Sequence, residues 1–228
     1  MDSAIWGDGI QTRAQQRELK RMAILRVAAR TFNRAGFRQT TLTNLAQQLS
    51  VTKPTLYHYV KNKDDILEGI LQLAMVDLRA MIGRVNSAEI TGLEKLRRFA
   101  IEYGDVMTDD FGACLILTRI SALETRFSDL YRAASKEVFT ALRLVVQEAI
   151  ADGSIRDCDP KYTASALIGT LNETVYWYLV DGKESARDSA ENFFKIFEFG
   201  FRPNPHLITL PQPLPKGEEK NPSPLGGG

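Results

Sequence analysis

Histidine, cysteine and long apolar runs are what this sequence has least of, and each shortage excludes a class of function. His58 and His206 are the only histidines, so a serine-histidine triad or a multi-histidine zinc site is not available. Cys114 and Cys158 are far apart and form no CxxC, which argues against a disulfide scaffold and for two reduced thiols. No apolar run reaches membrane-spanning length, and the opening MDSAIWGDGIQT lacks the basic-then-apolar order of a signal peptide; a soluble, cytoplasmic protein is expected. GxSxG, the phosphate-binding GxxxxGK[ST] loop and GxGxxG are missing. The paired Asp109 and Asp110 read as solvated turn residues at a helix break, and the Asn172-Glu173-Thr174 sequon falls inside a helical pattern. The chain therefore reads as a non-enzyme with no cofactor and no metal site. Period-two alternation, internal repeats and heptad arrays are also missing, which leaves an all-α fold.

Helical patterns are plentiful, and 44% hydrophobic residues suffice for a core. The net charge of +1 hides a division. Residues 1–63 hold 11 Lys or Arg against 3 Asp or Glu, while the remainder holds 18 against 25, so a head of +8 precedes a body of −7. A positive head attracts phosphates whatever their sequence, and an acidic body is repelled by them.

The stretch TLTNLAQQLSVTKPTLYHYV, residues 41–60, lies in the basic head. Leu42, Leu45, Ala46 and Leu49 form an apolar stripe behind Thr41 as helix cap. A break at Ser50-Val51 follows, and then Thr52 caps a second helix with Pro54 in its first turn, burying Leu56 and Tyr59. Helices this short need a third to close a core. Met22, Leu25, Ala28, Ala29 and Phe32 supply it, with Arg21, Arg26, Arg30 and Arg34 as solvating residues around them.

This head resembles the DNA-binding domain of the TetR family of bacterial transcriptional regulators. The likeness runs from about Arg17 to Leu71 and rests on Gly36-Phe37, Thr41, Ala46, Val51-Thr52-Lys53, Leu56-Tyr57-His58-Tyr59 and the run from Lys61 to Leu67. Ser50 stands where a turn glycine is common, so it must adopt a left-handed backbone or the turn is a variant. Val60 replaces the usual aromatic.

The chain divides into a flexible arm (1–14), a helix-turn-helix domain (15–62), a helical ligand-binding and dimerisation domain (63–202), and a disordered Pro/Gly-rich tail (203–228). A long helix from Lys63 to about Ile82 is expected to join head and body, with Asn62 as cap and Gly69 packed closely against a neighbour. Further helices are expected at about 93–107, 113–123, 128–151, 160–180 and 187–200, with Gly153 and Asp159 as caps. Ala164, Ala166, Leu167, Gly169, Leu171 and Val175 of the second-last helix, with the phenylalanines of the last, are expected to form a homodimer interface.

The candidate DNA-binding residues are Thr41, Thr52, Lys53, Thr55, Tyr57, His58 and Lys63. Thr52, Lys53 and Thr55 lie where a recognition helix meets base edges, Tyr57 and His58 one turn on; Thr41 and Lys63 open helices and would hold phosphates. The candidate ligand-binding residues are Tyr103, Phe111, Cys114, Leu117, Thr118, Phe139, Asn172, Tyr176 and Trp177, aromatic surface with sparse polar tips. The resemblance implies a homodimeric repressor on a palindromic operator in double-stranded DNA. A small apolar effector would release it; the stretch VYWYLVDG, residues 175–182, resembles regulators of fatty-acid, steroid or other acyl-CoA breakdown, which implies a lipid or acyl-CoA type of ligand. An activator or constitutive regulator without a ligand is the second reading, and an enzyme or interaction module with an incidental helix-turn-helix the third.

Overall fold

The computed structural model describes residues 12–118, 125–181 and 185–201, whose regular structure is all helical, with no strand among them. The expected tail and most of the expected arm lie outside these residues. The head holds α1 (Arg13–Ala35), α2 (Leu42–Gln48) and α3 (Lys53–Tyr57). α1 starts two residues before the expected Gln15, because Thr12 and Gln15 form a reciprocal capping box. Thr41 and Thr52 cap α2 and α3 as the sequence implies, accepting from the backbone N–H groups of Asn44 and Thr55. Leu45, Ala46, Leu56 and Val60 are buried against Leu25, Ala28, Ala29 and Phe32 of α1, whereas Tyr59 is half-buried.

The turn between α2 and α3 is a Schellman closure with serine where glycine is usual. Ser50 has φ 54°, its N–H donates to Gln47 O at 3.0 Å, and the Val51 N–H donates to Ala46 O at 3.0 Å. The two bonds satisfy orphan carbonyls of α2 but hold an L-residue in the left-handed region.

α4 (Lys63–Asn86) runs a turn further than expected and carries head into body. Gly69 lies against α1 as anticipated; a Cβ there would stand 3.1 Å from Leu25 Cδ1. In the body α5 (Gly92–Thr108) is central, packed against α4, α6 (Asp110–Leu117), α7 (Thr125–Ala151), α8 (Pro160–Asp181) and α9 (Ala186–Phe201). It buries Leu96, Phe99, Ala100, Tyr103 and Met107. At its start the crossing with α7 is so close that a Cβ on Gly92 would fall inside the Ala149 backbone. Gly153 (φ 74°) follows α7, and Asp159 Oδ1 accepts from the N–H groups of Lys161 and Tyr162 at the start of α8, both as expected.

α6 begins at Asp110, three residues before the expected Ala113. Asp109 ends α5 and also caps α6, its Oδ1 accepting from the Phe111 N–H at 3.2 Å, so no linker separates the two helices. The expected dimer face is also corrected. Ala164, Leu167, Leu171 and Val175 are buried within the chain, while Ala166 and Gly169 are exposed. Tyr162 (70% exposed), Ile196 (70%) and Phe199 (84%) lie open on α8 and α9, whereas Phe194 and Phe201 are core.

Replacing Ser50 by glycine removes the left-handed strain, worth ~1 kcal/mol after the extra freedom of the unfolded chain is deducted. Ser50→Gly is expected to raise the melting temperature by roughly 2–4 °C, measured by circular dichroism. An unchanged or lower value means that the turn holds serine without strain.

Candidate nucleic-acid interface and interior cavity

Five residues make barely more than one turn, so α3 is held in place by side chains from elsewhere. Arg17 Nη2 donates to His58 O at 3.3 Å, and Arg21 Nη1 donates to Tyr59 O at 2.8 Å. Arg21 also forms a 3.1 Å ion pair with Asp65 of α4. Burial acts to raise the Asp65 pKa, but the bonds from Arg21 and the Lys61 N–H outweigh it and hold the carboxyl below its ordinary value. These two guanidinium groups, of which that of Arg21 was expected to be solvating, hold the carbonyls that follow the recognition helix.

Thr41, Thr52, Lys53, Tyr57 and His58 are exposed, and Thr55 is half-buried with its hydroxyl 2.8 Å from that of Thr52. Lys63 is placed differently from the phosphate contact expected of it. Its Nζ donates to the carbonyls of Phe37 (2.8 Å), Arg38 (3.3 Å) and Thr40 (3.0 Å) and stands 4.4 Å above the Phe37 ring. An ammonium has three donors, so none remains for a phosphate while these bonds stand.

In the body a cavity of about 410 Å³ opens among α4, α5, α6, α7 and α8. Tyr103, Phe139 and Asn172 of the expected ligand set lie on its wall, and the Tyr103 hydroxyl donates to Asn172 Oδ1 at 2.8 Å. Burial, with Tyr131 a smaller influence, pushes the Tyr103 phenol far above its ordinary pKa, so it stays protonated as donor. The other members lie elsewhere. Phe111 is buried beneath Arg26, whose guanidinium carbon is 4.9 Å from the ring centre. Cys114 and Thr118 are paired in the core at 3.0 Å, and burial raises the thiol pKa to about 12. Leu117 packs against the core, Tyr176 is 39% exposed on the surface of α8, and the Trp177 side chain lies outside the described residues. Sequence reasoning missed Leu78, Met107, Leu115, Ile116 and Ile168, and on α7 Tyr131 and Ser135, which with Phe139 form an i, i+4, i+8 row.

Head and body also meet away from α4. Arg30 Nε donates to Asp110 Oδ2 at 2.9 Å, Arg26 Nη1 lies 3.5 and 3.4 Å from the carboxylates of Asp109 and Asp110, and Asn33 Nδ2 donates to Asp110 O at 2.9 Å. The acidic pair is thus a docking point for α1 and not a solvated turn. Asp77 of α4 feels it as well: burial first, then the nearby Asp109 charge, raises its pKa.

Two outcomes are expected. Lys63→Ala should lower the melting temperature by several degrees, since hydrogen bonds to a charged group contribute ~1.5–3 kcal/mol, while Lys53→Ala leaves it unchanged and reduces selection of specific over random duplex. A Lys63 variant that melts normally but flattens the salt slope by ~1 would return that residue to phosphate binding. Asp65→Asn should cost about 1–2 kcal/mol in urea unfolding at neutral pH. Because the folded pKa is lowered, this difference exists above the unfolded carboxylate value near ~4 and vanishes as the pH falls through the folded value. A difference that persists in acid would mean Asp65 acts through packing and not charge.

Comparison with known proteins matches both parts of the chain. Residues 24–70 match the model described as bacterial regulatory proteins, tetR family, and residues 89–200 match the tetracyclin repressor-like C-terminal domain. The fatty acid metabolism regulator protein of Bacillus subtilis (strain 168) is 26% identical over 176 residues, 74% of this chain and 89% of its own. The HTH-type transcriptional repressor KstR2 of Mycolicibacterium smegmatis is 26% identical over 188 residues, 78% and 88% of the two chains. The crystal structure of AibR in complex with isovaleryl coenzyme A and operator DNA shares the fold at a TM-score of 0.68 and 23% identity, covering 78% of this chain and 97% of that one. With a capped helix-turn-helix in the head, a helical body behind it and models of one family matching each, the chain belongs to the TetR family and is a DNA-binding transcriptional regulator.

Proposed function

We propose that the chain is a homodimeric repressor that binds a palindromic operator through Thr52, Lys53, Thr55, Tyr57 and His58, and leaves it when a small, largely apolar ligand fills the cavity. The observation that carries this reading is the position of α6. Leu115 and Ile116 near its end line the cavity, and Asp109 and Asp110 at its start hold Arg26 and Arg30 of α1. α4, once the sole expected link between head and body, therefore has a second beside it. A ligand acts only through a difference in affinity between two head positions, and a coupling of ~1–3 kcal/mol corresponds to about five- to 150-fold in operator affinity.

The relatives support a regulator with an acyl-type ligand, without bearing on release from the operator. One regulates fatty acid metabolism, one is a repressor, and AibR holds an acyl-coenzyme A together with operator DNA. A lipid or acyl-CoA type effector suits a mostly apolar cavity of this volume. Dimerisation is supported by the open apolar residues Tyr162 on α8 and Ile196 and Phe199 on α9, with the small Ala166 and Gly169 also exposed on α8. One α3 covers one half-site, so two heads ~34 Å apart are needed.

The test starts from an operator selected out of random duplexes by the purified protein, followed by anisotropy titration with metabolites that raise its melting temperature. A stabilising metabolite should lower operator affinity within the stated range. Phe199→Glu should give a monomeric mass by light scattering and lose the operator. Operator binding indifferent to every stabilising metabolite would favour a constitutive regulator, and a Phe199 variant that stays dimeric would place the interface elsewhere.

A further inference from the structure

The cavity's polar residues are few: Tyr103 with Asn172, then Tyr131 and Ser135, and two cations. Asn172 uses its side-chain oxygen to accept from Tyr103, which leaves its two N–H groups as donors on a mostly apolar wall that Tyr131 and Ser135 share. Among the described lining residues only Arg132 and Lys136 carry charge, and both are positive. They are four residues apart on α7, hence on one face of the helix, and both are exposed. Arg132 pairs with Asp129 at 2.9 Å, with side chains 75% and 58% exposed, a pairing weak enough for another anion to replace. This cationic mouth stands in a body where acids outnumber bases 25 to 18 over residues 64–228.

We propose that the effector is an anionic acyl amphiphile, with its apolar chain in the cavity, its carbonyl oxygen accepting from Asn172, and its negative group held at the mouth by Arg132 and Lys136. The inference rests on the cavity being the effector site. A volume of about 410 Å³ holds roughly a dozen chain atoms at ~30 Å³ for each water-sized group. An apolar chain laid over the Asn172 donors would strip their water without replacing its hydrogen bonds, so a ligand with a carbonyl there is favoured over a plain hydrocarbon. Two sources offer this chemistry: a free fatty carboxylate, in which carbonyl and charge are one group, and an acyl thioester whose charge lies further out on a phosphate.

The experiment is calorimetric titration of the full-length protein with decanoate, decanoyl-coenzyme A and uncharged methyl decanoate, at low and at high salt. At least one anion should bind about tenfold tighter than the ester at low salt, and the gap should narrow as salt rises. The anion that does so identifies the source. Combined R132Q and K136Q, at exposed positions, should bring that anion to the level of the ester and leave the ester unchanged. N172A should weaken ester and anion alike, by about fivefold. Equal affinity for ester and anions, or glutamine variants that still favour the anion, would overturn the anionic assignment while an apolar effector site stands. If no member of the series binds or alters operator affinity, the effector reading falls and this inference with it.

Discussion

A recognition helix of five residues cannot maintain itself in water, and most of the head is arranged around that constraint. Thr52 supplies its cap, Leu56 and Val60 place one side in the core, and Arg17 and Arg21 take the carbonyls that follow it. Asp65 ties Arg21 to the next helix, and Lys63 gathers three carbonyls of the loop before α2. Charged groups that a composition count assigns to DNA are thus divided between two tasks. Lys53 faces outward from α3, and the others fix the surface from which it projects.

The fold was largely legible because caps and apolar stripes are local signals. Thr41, Thr52, Asn62, Asp159 and Gly153 each mark a helix end through bonds within a few residues. Ser50 was legible for the same reason, since a missing glycine in a two-helix turn points directly to backbone strain. The partners of Arg26, Arg30 and Lys63 were not, because the residues they meet are 23 to 84 positions away. A charge reads the same from sequence whether solvent, phosphate or a distant carbonyl receives it.

The cavity was half legible for a related reason. Tyr103, Phe139 and Asn172 stand out as aromatic or polar residues in apolar surroundings, and all three reach the wall. Cys114 and Thr118 stand out equally but satisfy each other inside the core. Leu115 and Ile116 look like ordinary core, and no sequence period separates residues that meet a neighbour from residues that border a space. Only the packing of five helices around that space distinguishes the two.

Asp109, which ends one helix and caps the next, makes α5 and α6 meet at a joint of a single residue. Such a joint has no slack, so α6 can pivot on α5 but cannot slide along it. Its eight residues form an arm ~12 Å long, and a displacement of ~1 Å at the cavity end equals a rotation of about 5° at the end that carries the carboxylates. Angle, rather than distance, is the quantity this joint passes to α1.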